Sequence, residues 1–211
     1  MSLRSQEILT NKKITILEKE IVRLEKLAYK DVLVDAYNRR GFLKFCQVPF
    51  NMAVQARNYS RRKTDRAGDL CLILIDVDNF KHYNDKYNYA LGDAILKTAG
   101  AYFNYHIRQT DIFGRWGGDE FVLLLPFTKA EIAKKLTEYH VANFTKTTLD
   151  TLKAKNMKMY IKKWLGGEAV TFSIGIASLT KEKTIQALVS KANKGLKLAK
   201  KQKNAIVIAN K

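Results

Sequence analysis

Residue types that define several protein classes are scarce in this chain of 211 residues. It has two prolines and two cysteines, and the cysteines, Cys46 and Cys71, are isolated among apolar neighbours. This argues against a disulfide framework or a cysteine metal cluster and favours a reducing compartment. No run approaches the roughly 18 apolar residues of a membrane span, and no signal-peptide pattern is visible. We therefore expect a cytoplasmic protein, or the cytoplasmic part of a membrane-associated sensor.

Negative charge is scarce too, since 38 Lys and Arg outnumber 20 Asp and Glu and the net charge is +18. From Lys129 to Lys211 there are eighteen lysines, five acidic residues and no arginine. A basic surface could attract nucleic acid or anionic lipid. These lysines, however, lie at solvent-facing spacings without interleaved aromatic residues that would stack on bases. We expect a solvated face, with attraction of an anionic nucleotide as the alternative, and no dedicated nucleic-acid site.

The first thirty residues are expected to form a helical appendage. Apolar residues recur there with the 3-4-3-4 spacing of a coiled-coil seam, at Ile14, Leu17, Ile21, Leu24 and Ala28. Only about two heptads are visible, so an amphipathic helix packed on its own domain is the alternative. We assign residues 1–30 to a helical linker and residues 31–211 to the main domain.

The remaining pattern predicts alternating helices and strands. Helices are expected from Gly41 to about Arg62, in a short segment after Asn79, from Ala94 (after Gly92-Asp93) to about His106, from Ala130 to about Lys163 with a break near Thr145–Asp150, and from Thr184 to Lys201. Strands are expected at Asp69–Asp78, Asp111–Phe113, Phe121–Leu125, Val170–Ala177 and Ala205–Ala209. This order is a split βαβ layout of the α/β (α+β) class.

Two pairs of carboxylates stand at the expected strand ends. Asp76 and Asp78 close a buried strand and, being two apart, point to the same side of it. Asp119 and Glu120 are expected on a hairpin turn after Gly117-Gly118, where glycine would supply a positive φ. Taken alone, these are a strand cap and a turn with solvated acids. Because the layout brings the strand beside the hairpin, the acids could instead converge on Mg²⁺ together with substrate phosphates.

The segment after Asp78 offers a seat for an anion. Asn79, Phe80 and Lys81 begin a short helix, whose first backbone N–H groups lack partners within the helix. Lys81 adds a positive charge where phosphates would lie.

These motifs resemble the GGDEF domains, the diguanylate cyclases that condense two GTP into cyclic di-GMP. Gly117–Phe121 reads Gly-Gly-Asp-Glu-Phe, and Asp76–Asp85 reads Asp-x-Asp-x-Phe-Lys-x-x-Asn-Asp. Gly92-Asp93, Asn38–Phe42 and Ser173–Ala177 also fit, and the resemblance covers about Asp31 to Ala209. It implies a palm-like nucleotidyl-cyclase fold, with a mixed, mostly antiparallel central sheet flanked by helices and preceded by the N-terminal helix.

The resemblance also implies roles for individual residues. Asp76, Asp119 and the Val77 carbonyl would hold Mg²⁺ (or Mn²⁺), with support from Glu120, and Asp119 would be the candidate base for the 3′-hydroxyl. The remaining substrate contacts are the phosphate seat at Asn79, Phe80 and Lys81, the phosphate-binding Lys200, the guanine readers Asn84 and Asp93, and Gly117 and Gly118, which leave room for the nucleotide. A carboxylate suits guanine because N1–H and N2–H₂ are donors. Each domain would hold one GTP, so the reaction implies a homodimer, and the N-terminal helix implies an upstream sensor.

A second site is implied by Arg108-x-x-Asp111, which matches the family's inhibitory site for its product, cyclic di-GMP, with Arg115 as a third contact. A structural Arg–Asp pair is the alternative reading.

The chain departs from the family in three places, the first being Leu33–Tyr37, which reads Leu-Val-Asp-Ala-Tyr where the family usually has Leu-Thr-Gly-Leu before Asn38. Asn88-Tyr89 replaces the usual Gly-His, and the glycine of the usual Gly-Arg/Lys-Asn ending is missing at Lys203-Asn204. Lys203 could therefore lie one place away from the family's second basic contact. These changes support the alternative of a catalytically weak domain that binds GTP or cyclic di-GMP as a signalling module.

Overall fold

The computed structural model describes residues 3–59, 68–86, 89–154 and 170–209. Its helices are α1 Leu3–Tyr29, α2 Arg39–Phe45, α3 Gln47–Tyr59, α4 Phe80–Lys86, α5 Tyr89–His106, α6 Ala130–Ala154 and α7 Ile185–Gln202. Its strands are β1 Leu70–Val77, β2 Ile112–Gly117, β3 Glu120–Pro126, β4 Phe172–Ser178 and β5 Ile206–Ile208.

The five strands form one sheet in the order β2-β3-β1-β4-β5. The first three pairings are antiparallel, and only β4 and β5 run parallel. This confirms the predicted mixed, mostly antiparallel sheet flanked by helices.

The central strand β1 is buried along its whole length. Cys71, Ile73 and Ile75 face a core shared with α5 and α6, whereas Leu72 and Leu74 face a core shared with α2, α3 and α7. Because successive side chains of a strand point to opposite faces, a strand covered on both sides must be apolar throughout. This explains the unbroken apolar run.

Three predicted helix boundaries were wrong. The helix expected from Gly41 to Arg62 is divided at Cys46, because Pro49 has no N–H to donate and is tolerated only in the first turn of the new helix α3. Arg61 and Arg62 lie outside the described residues.

The other two differences concern α5 and α6. Helix α5 begins at Tyr89, so Gly92 lies inside it rather than before it. A Cβ at Gly92 would overlap Asn84 Oδ1, so glycine permits the close approach of α4 and α5. Helix α6 runs through the expected break at residues 145–150, and the predicted end at Gly166-Gly167 lies outside the described residues.

Helix α1 leaves its apolar seam in solvent. Ile14, Leu17, Ile21 and Leu24 are 47%, 62%, 57% and 52% exposed. The alternative in which this helix packs on its own domain was therefore wrong for that segment, and a coiled coil stays a prediction. None of the described helices is both long and apolar enough to span a membrane.

Candidate functional site

The register of β1 and β3 brings three of the predicted carboxylates to one edge of the sheet. Asp76 is paired with Glu120, and the next residue, Val77, donates its N–H to the Asp119 carbonyl at 3.3 Å. Glu120 opens β3 rather than lying on the turn, which consists of Gly118 and Asp119. The acids thus converge because β1 ends where the hairpin turns.

The turn glycines differ from the prediction. Neither Gly117 nor Gly118 has a φ in the left-handed region. The strands shift register between Arg115 and Gly117, and such a bulge supplies local twist. A Cβ at Gly118 would meet no atom within 4 Å, and one at Gly117 would meet only Glu120 Oε2 at 3.7 Å. The glycines therefore leave open space above the turn.

The side chain of Arg115 is bonded to the backbone of the hairpin turn. Its Nε and Nη2 donate to the Gly118 carbonyl at 2.9 and 2.6 Å, and its Nη1 pairs with Asp31 at 3.1 Å. Asp31 also accepts the N–H groups of Leu33 and Val34, at the junction after α1. The predicted role of Arg115 at an inhibitory site remains a prediction, and it would require Arg115 to leave these partners.

Asp76 is the most perturbed of the carboxylates. Its side chain is 7% exposed, and burial raises its pKa to about 6, with Asp119 and Glu120 adding to the shift and Lys200 opposing it. Lys200 Nζ lies 2.6 Å from Asp76 Oδ2 and 3.9 Å from Glu120 Oε1. Burial alone would lower the pKa of Lys200, but these acids raise it. The first contact is a salt bridge at hydrogen-bonding distance.

Asp78 does not join this cluster, contrary to the prediction. Strand β1 ends at Val77, so the alternation that would align Asp78 with Asp76 stops there. Its carboxylate accepts hydrogen bonds from the hydroxyls of Thr171 (2.7 Å) and Ser173 (2.6 Å) and from the N–H of Asn204 (2.8 Å). These donors satisfy the buried charge without a metal ion.

Lys203, whose match to the family's second basic contact was ambiguous in the sequence, lies next to the residue that Asp78 binds. Lys203 Nζ donates to Asn79 Oδ1 at 2.7 Å, next to the predicted phosphate seat. Phe80 is half-buried and Lys81 is exposed at the start of α4. The missing glycine was the only signal in the sequence that this turn was unusual.

The predicted guanine readers lie on neighbouring helices. Asn84 is half-buried on α4, and its Oδ1 accepts no hydrogen bond from the described residues. Asp93 is exposed in the first turns of α5. Asp93 therefore presents exposed carboxylate oxygens to donors such as N1–H and N2–H₂ of guanine, whereas Asn84 Oδ1 is buried against Gly92. Tyr89 is 78% exposed, and Asn88 lies outside the described residues.

Arg108 and Asp111 form a turn before β2, remote along the strand from the carboxylate edge. The Arg108 backbone N–H, not its guanidinium, donates to Asp111 Oδ2 at 2.9 Å. Burial raises the pKa of Asp111, and the Arg108 N–H and charge oppose that shift. The side chain of Arg108 makes no ion pair with the residues that the structure describes, so the expected alternative, a structural Arg–Asp side-chain pair, is not what is seen.

The donors at the carboxylate edge fit a divalent cation in chemistry. Among the described residues, no group of three or more His, Cys, Asp or Glu is arranged to hold a metal ion. Mg²⁺ commonly takes only one or two carboxylates and completes its shell with water and substrate phosphates. The carboxylates of Asp76, Asp119 and Glu120, which interact electrostatically with one another beside Lys200, could supply those one or two ligands.

Comparison with known proteins gives one family. A family model described as "Diguanylate cyclase, GGDEF domain" matches residues 28–205. The diguanylate cyclase DgcM of Escherichia coli K12 is 32% identical over 187 residues, which are 89% of this chain and 40% of DgcM. The response regulator PleD of Caulobacter vibrioides is 29% identical over 187 residues, which are 86% of this chain and 36% of PleD. The chain thus spans less than half the length of these curated relatives.

A solved structure agrees in fold. The coiled coil and GGDEF domain of DgcB from Caulobacter crescentus, solved in complex with c-di-GMP, superposes with a TM-score of 0.76 at 17% identity, covering 99% of this chain and 100% of that one. At this identity the likeness concerns the fold alone.

Proposed function

Because the chain belongs to the GGDEF family of diguanylate cyclases, we propose that it condenses two GTP into cyclic di-GMP with release of pyrophosphate, acting as a dimer with bound Mg²⁺ or Mn²⁺. The observation that carries the proposal is the pairing of β1 with β3. It sets Asp76 opposite Glu120 and Asp119 beside Val77, below the open space at Gly118.

The roles of the carboxylates follow from their surroundings. Asp76, Asp119 and the Val77 carbonyl hold the metal ion, with Glu120 in support; when bound, the ion acts as a Lewis acid on phosphate oxygens. Asp119, on the turn, accepts the proton of the 3′-hydroxyl. The hydroxyl oxygen then forms a bond to the α-phosphorus of the other GTP, and pyrophosphate leaves. Lys200 offsets the negative charge of Asp76 and Glu120 and binds phosphate.

Two sets of polar groups are proposed to hold the nucleotide, one for guanine and one for the phosphates. Asn84 Oδ1 and Asp93 accept hydrogen bonds from guanine, which selects GTP over ATP because adenine N1 is an acceptor. The backbone of Asn79 to Lys81 and the side chains of Lys81 and Lys203 bind the phosphates. Gly117 and Gly118 leave room for the nucleotide.

Dimerisation supplies the second GTP. The exposed seam of α1 is the proposed contact between two chains, and residues 1–30 act as the linker to an upstream sensor, with the catalytic domain at 31–211. Asn38 Nδ2 donates to the carbonyls of Ala28 (3.0 Å) and Lys30 (3.2 Å), so the end of the linker is tied to α2. Cyclic di-GMP is proposed to inhibit at Arg108 and Asp111.

A catalytically weak GGDEF domain that binds GTP or cyclic di-GMP for signalling is the second candidate. The Lys200–Asp76 ion pair favours it, because a lysine already neutralises the carboxylate that would hold the metal.

The deciding experiment is incubation of the full chain with GTP and Mg²⁺, with detection of cyclic di-GMP. We expect product with the native chain and none with Asp119→Ala. Tight GTP binding without product at high protein concentration would overturn the cyclase and leave the signalling module. Absence of binding of both GTP and cyclic di-GMP would overturn both candidates.

A further inference from the structure

We propose that Asp78 is a positioning residue for nucleotide binding: it clamps the turn after α7 so that Lys203 is held against the phosphate seat. This rests on the proposed function, because it assigns Lys203 to the triphosphate of the same nucleotide. It separates the two acids of the Asp-x-Asp motif, with Asp76 directed to the metal and Asp78 to the protein.

The clamp joins three segments that are far apart in the sequence. Asp78 follows β1, is 4% exposed, and accepts three hydrogen bonds of 2.6 to 2.8 Å from Thr171, Ser173 and Asn204. Its own N–H donates to the Thr171 carbonyl at 2.9 Å. Both carboxylate oxygens are used, and Oδ2 is bonded to the backbone N–H of Asn204.

The clamped turn is strained at Lys203. Four non-glycine residues among those described have positive φ, and three of them meet here: Asn79 (55°), Lys203 (54°) and Asn204 (44°). Lys203 combines this φ with a ψ of 161°, a conformation that side chains other than glycine rarely adopt. Such strain persists where surrounding contacts enforce it, and it concentrates at functional sites.

The backbone conformation of Lys203 is accompanied by a fixed position of its side chain. The Lys203 N–H closes α7 by donating to the Ala199 carbonyl at 2.8 Å, and the Asn204 N–H is held by Asp78. With both ends held, the exposed side chain of Lys203 reaches the segment after β1, where its Nζ donates to Asn79 Oδ1 at 2.7 Å. An ammonium group is thereby held at the residue that begins the proposed phosphate seat, where glycine would have relieved the strain but supplied no charge.

The test uses binding of a GTP analogue with a methylene bridge between its α- and β-phosphates, in the presence of Mg²⁺, so that turnover is not needed. Asp78→Ala and Lys203→Gly should each weaken binding roughly tenfold, the effect of one charged hydrogen bond. The double variant should bind no more weakly than Lys203→Gly alone, because Asp78 acts through Lys203. Additive losses would overturn the proposal.

Stability separates positioning from a merely structural role. Lys203→Gly should not lower the melting temperature, since glycine accepts this backbone conformation, and yet should lose affinity. If Lys203→Gly keeps full affinity, the proposal is wrong. Glu182→Ala is the matched control: it removes another partly buried carboxylate, which accepts the Thr180 N–H at 2.7 Å and pairs with Lys191 at 3.0 Å, away from the seat. It should lower stability and leave analogue binding unchanged.

Hydrogen exchange tests the clamp independently of any nucleotide. The Asn204 amide should be protected in the native chain and lose protection in Asp78→Ala while the amides of β1 and β3 keep theirs; unchanged protection would overturn the clamp. If Asp78→Ala fails to fold, the isosteric Asp78→Asn should give the same changes at smaller size, and no change in it would count against the proposal. If analogue binding follows this pattern but the native chain forms no cyclic di-GMP from GTP, the proposed reaction is wrong and this inference stands. If the native chain does not bind the analogue, the role of Asp78 in nucleotide binding is wrong.

Discussion

Lys200 Nζ lies 2.6 Å from Asp76 Oδ2, so the last helix is ion-paired to the end of the central strand. The acid is buried and the lysine is 44% exposed, so the pair belongs partly to the core and partly to solvent. A divalent cation that binds Asp76 meets Lys200 as a competing positive charge. We therefore expect Lys200 to affect both the stability of the protein and the proposed affinity of this site for a divalent cation.

Lys200→Ala should therefore destabilise the metal-free protein by about 1 kcal/mol at neutral pH, because it leaves a buried carboxylate unpaired. The same change should increase the stabilisation gained from added Mg²⁺ or Mn²⁺, since one competitor is removed. Thermal unfolding with and without the ions measures both effects. Lys201→Ala, at the exposed neighbouring position, should change neither. An equal metal-induced shift in Lys200→Ala and the native chain would contradict the prediction.

Gly118→Ala should leave stability unchanged and lower cyclic di-GMP formation. A Cβ there meets no protein atom within 4 Å, and the φ of Gly118 is not left-handed, so the folded chain tolerates it. The methyl group would occupy space proposed for the nucleotide. The comparison is Gly175→Ala, whose Cβ would overlap the Ala192 carbonyl on α7 and which should cost about 1–3 kcal/mol. Denaturant unfolding and product assays measure the contrast; full activity of Gly118→Ala would show that the space is not used.

Arg108→Ala should raise the yield of cyclic di-GMP in long incubations. If the product binds at this turn, removal of the guanidinium removes a charged partner for phosphate or guanine and so relieves inhibition. Gln109→Ala, in the same turn, is the control and should behave as the native chain. The measurement is the product-time course with and without added cyclic di-GMP. Equal yields in all three proteins would argue against an inhibitory site at Arg108.

Leu17→Ser combined with Leu24→Ser should weaken dimerisation without unfolding the catalytic domain. Both residues lie on the α1 seam and are exposed in the single chain, so their burial must come from a partner. Ile16→Ser with Val22→Ser removes two similarly exposed apolar residues off the seam, each 65% exposed, and should have little effect. Sedimentation velocity gives the mass of each. Equal masses for both double variants would argue against a coiled coil.

Glu182→Gln should make the free energy of unfolding less dependent on pH in the acidic range. Although burial alone would raise it, hydrogen bonds from Thr180 and the charge of Lys191 lower the pKa of Glu182 from 4.5 to about 2. A carboxyl whose pKa is lowered on folding contributes stability above its unfolded pKa and loses it as pH falls through the folded value. The contribution, about 2 kcal/mol after allowance for solvent screening, should therefore disappear between about pH 5 and pH 2.

Urea unfolding at several pH values in that window measures the change. Glu138→Gln is the control, because Glu138 and Lys134 form an exposed pair at 3.7 Å that should contribute little. If both variants follow the native curve, the pairing of Glu182 with Lys191 does not stabilise the fold.

Much of the fold could be read from patterns that are local in the chain. The apolar run of β1, the glycine pair before Asp119 and the spacing of the α1 seam depend on neighbouring residues only, and the motifs they carry were enough to identify the family. Helix boundaries were predicted less well. The division at Cys46 comes from the missing N–H of Pro49, and Gly92 lies inside α5 because α4 packs against it.

By itself, then, the sequence determined the family, the order of the elements and the identity of the acids. Only the tertiary structure showed which partners each acid has. Asp76 and Asp78 are two residues apart and look equivalent, but Asp78 is satisfied by Asn204, 126 residues further along. That contact exists because Gly175 and Gly195 let α7 approach β4 closely, carrying Lys200 and Lys203 to the end of β1. Partners so distant in sequence are set by packing, which no local pattern records.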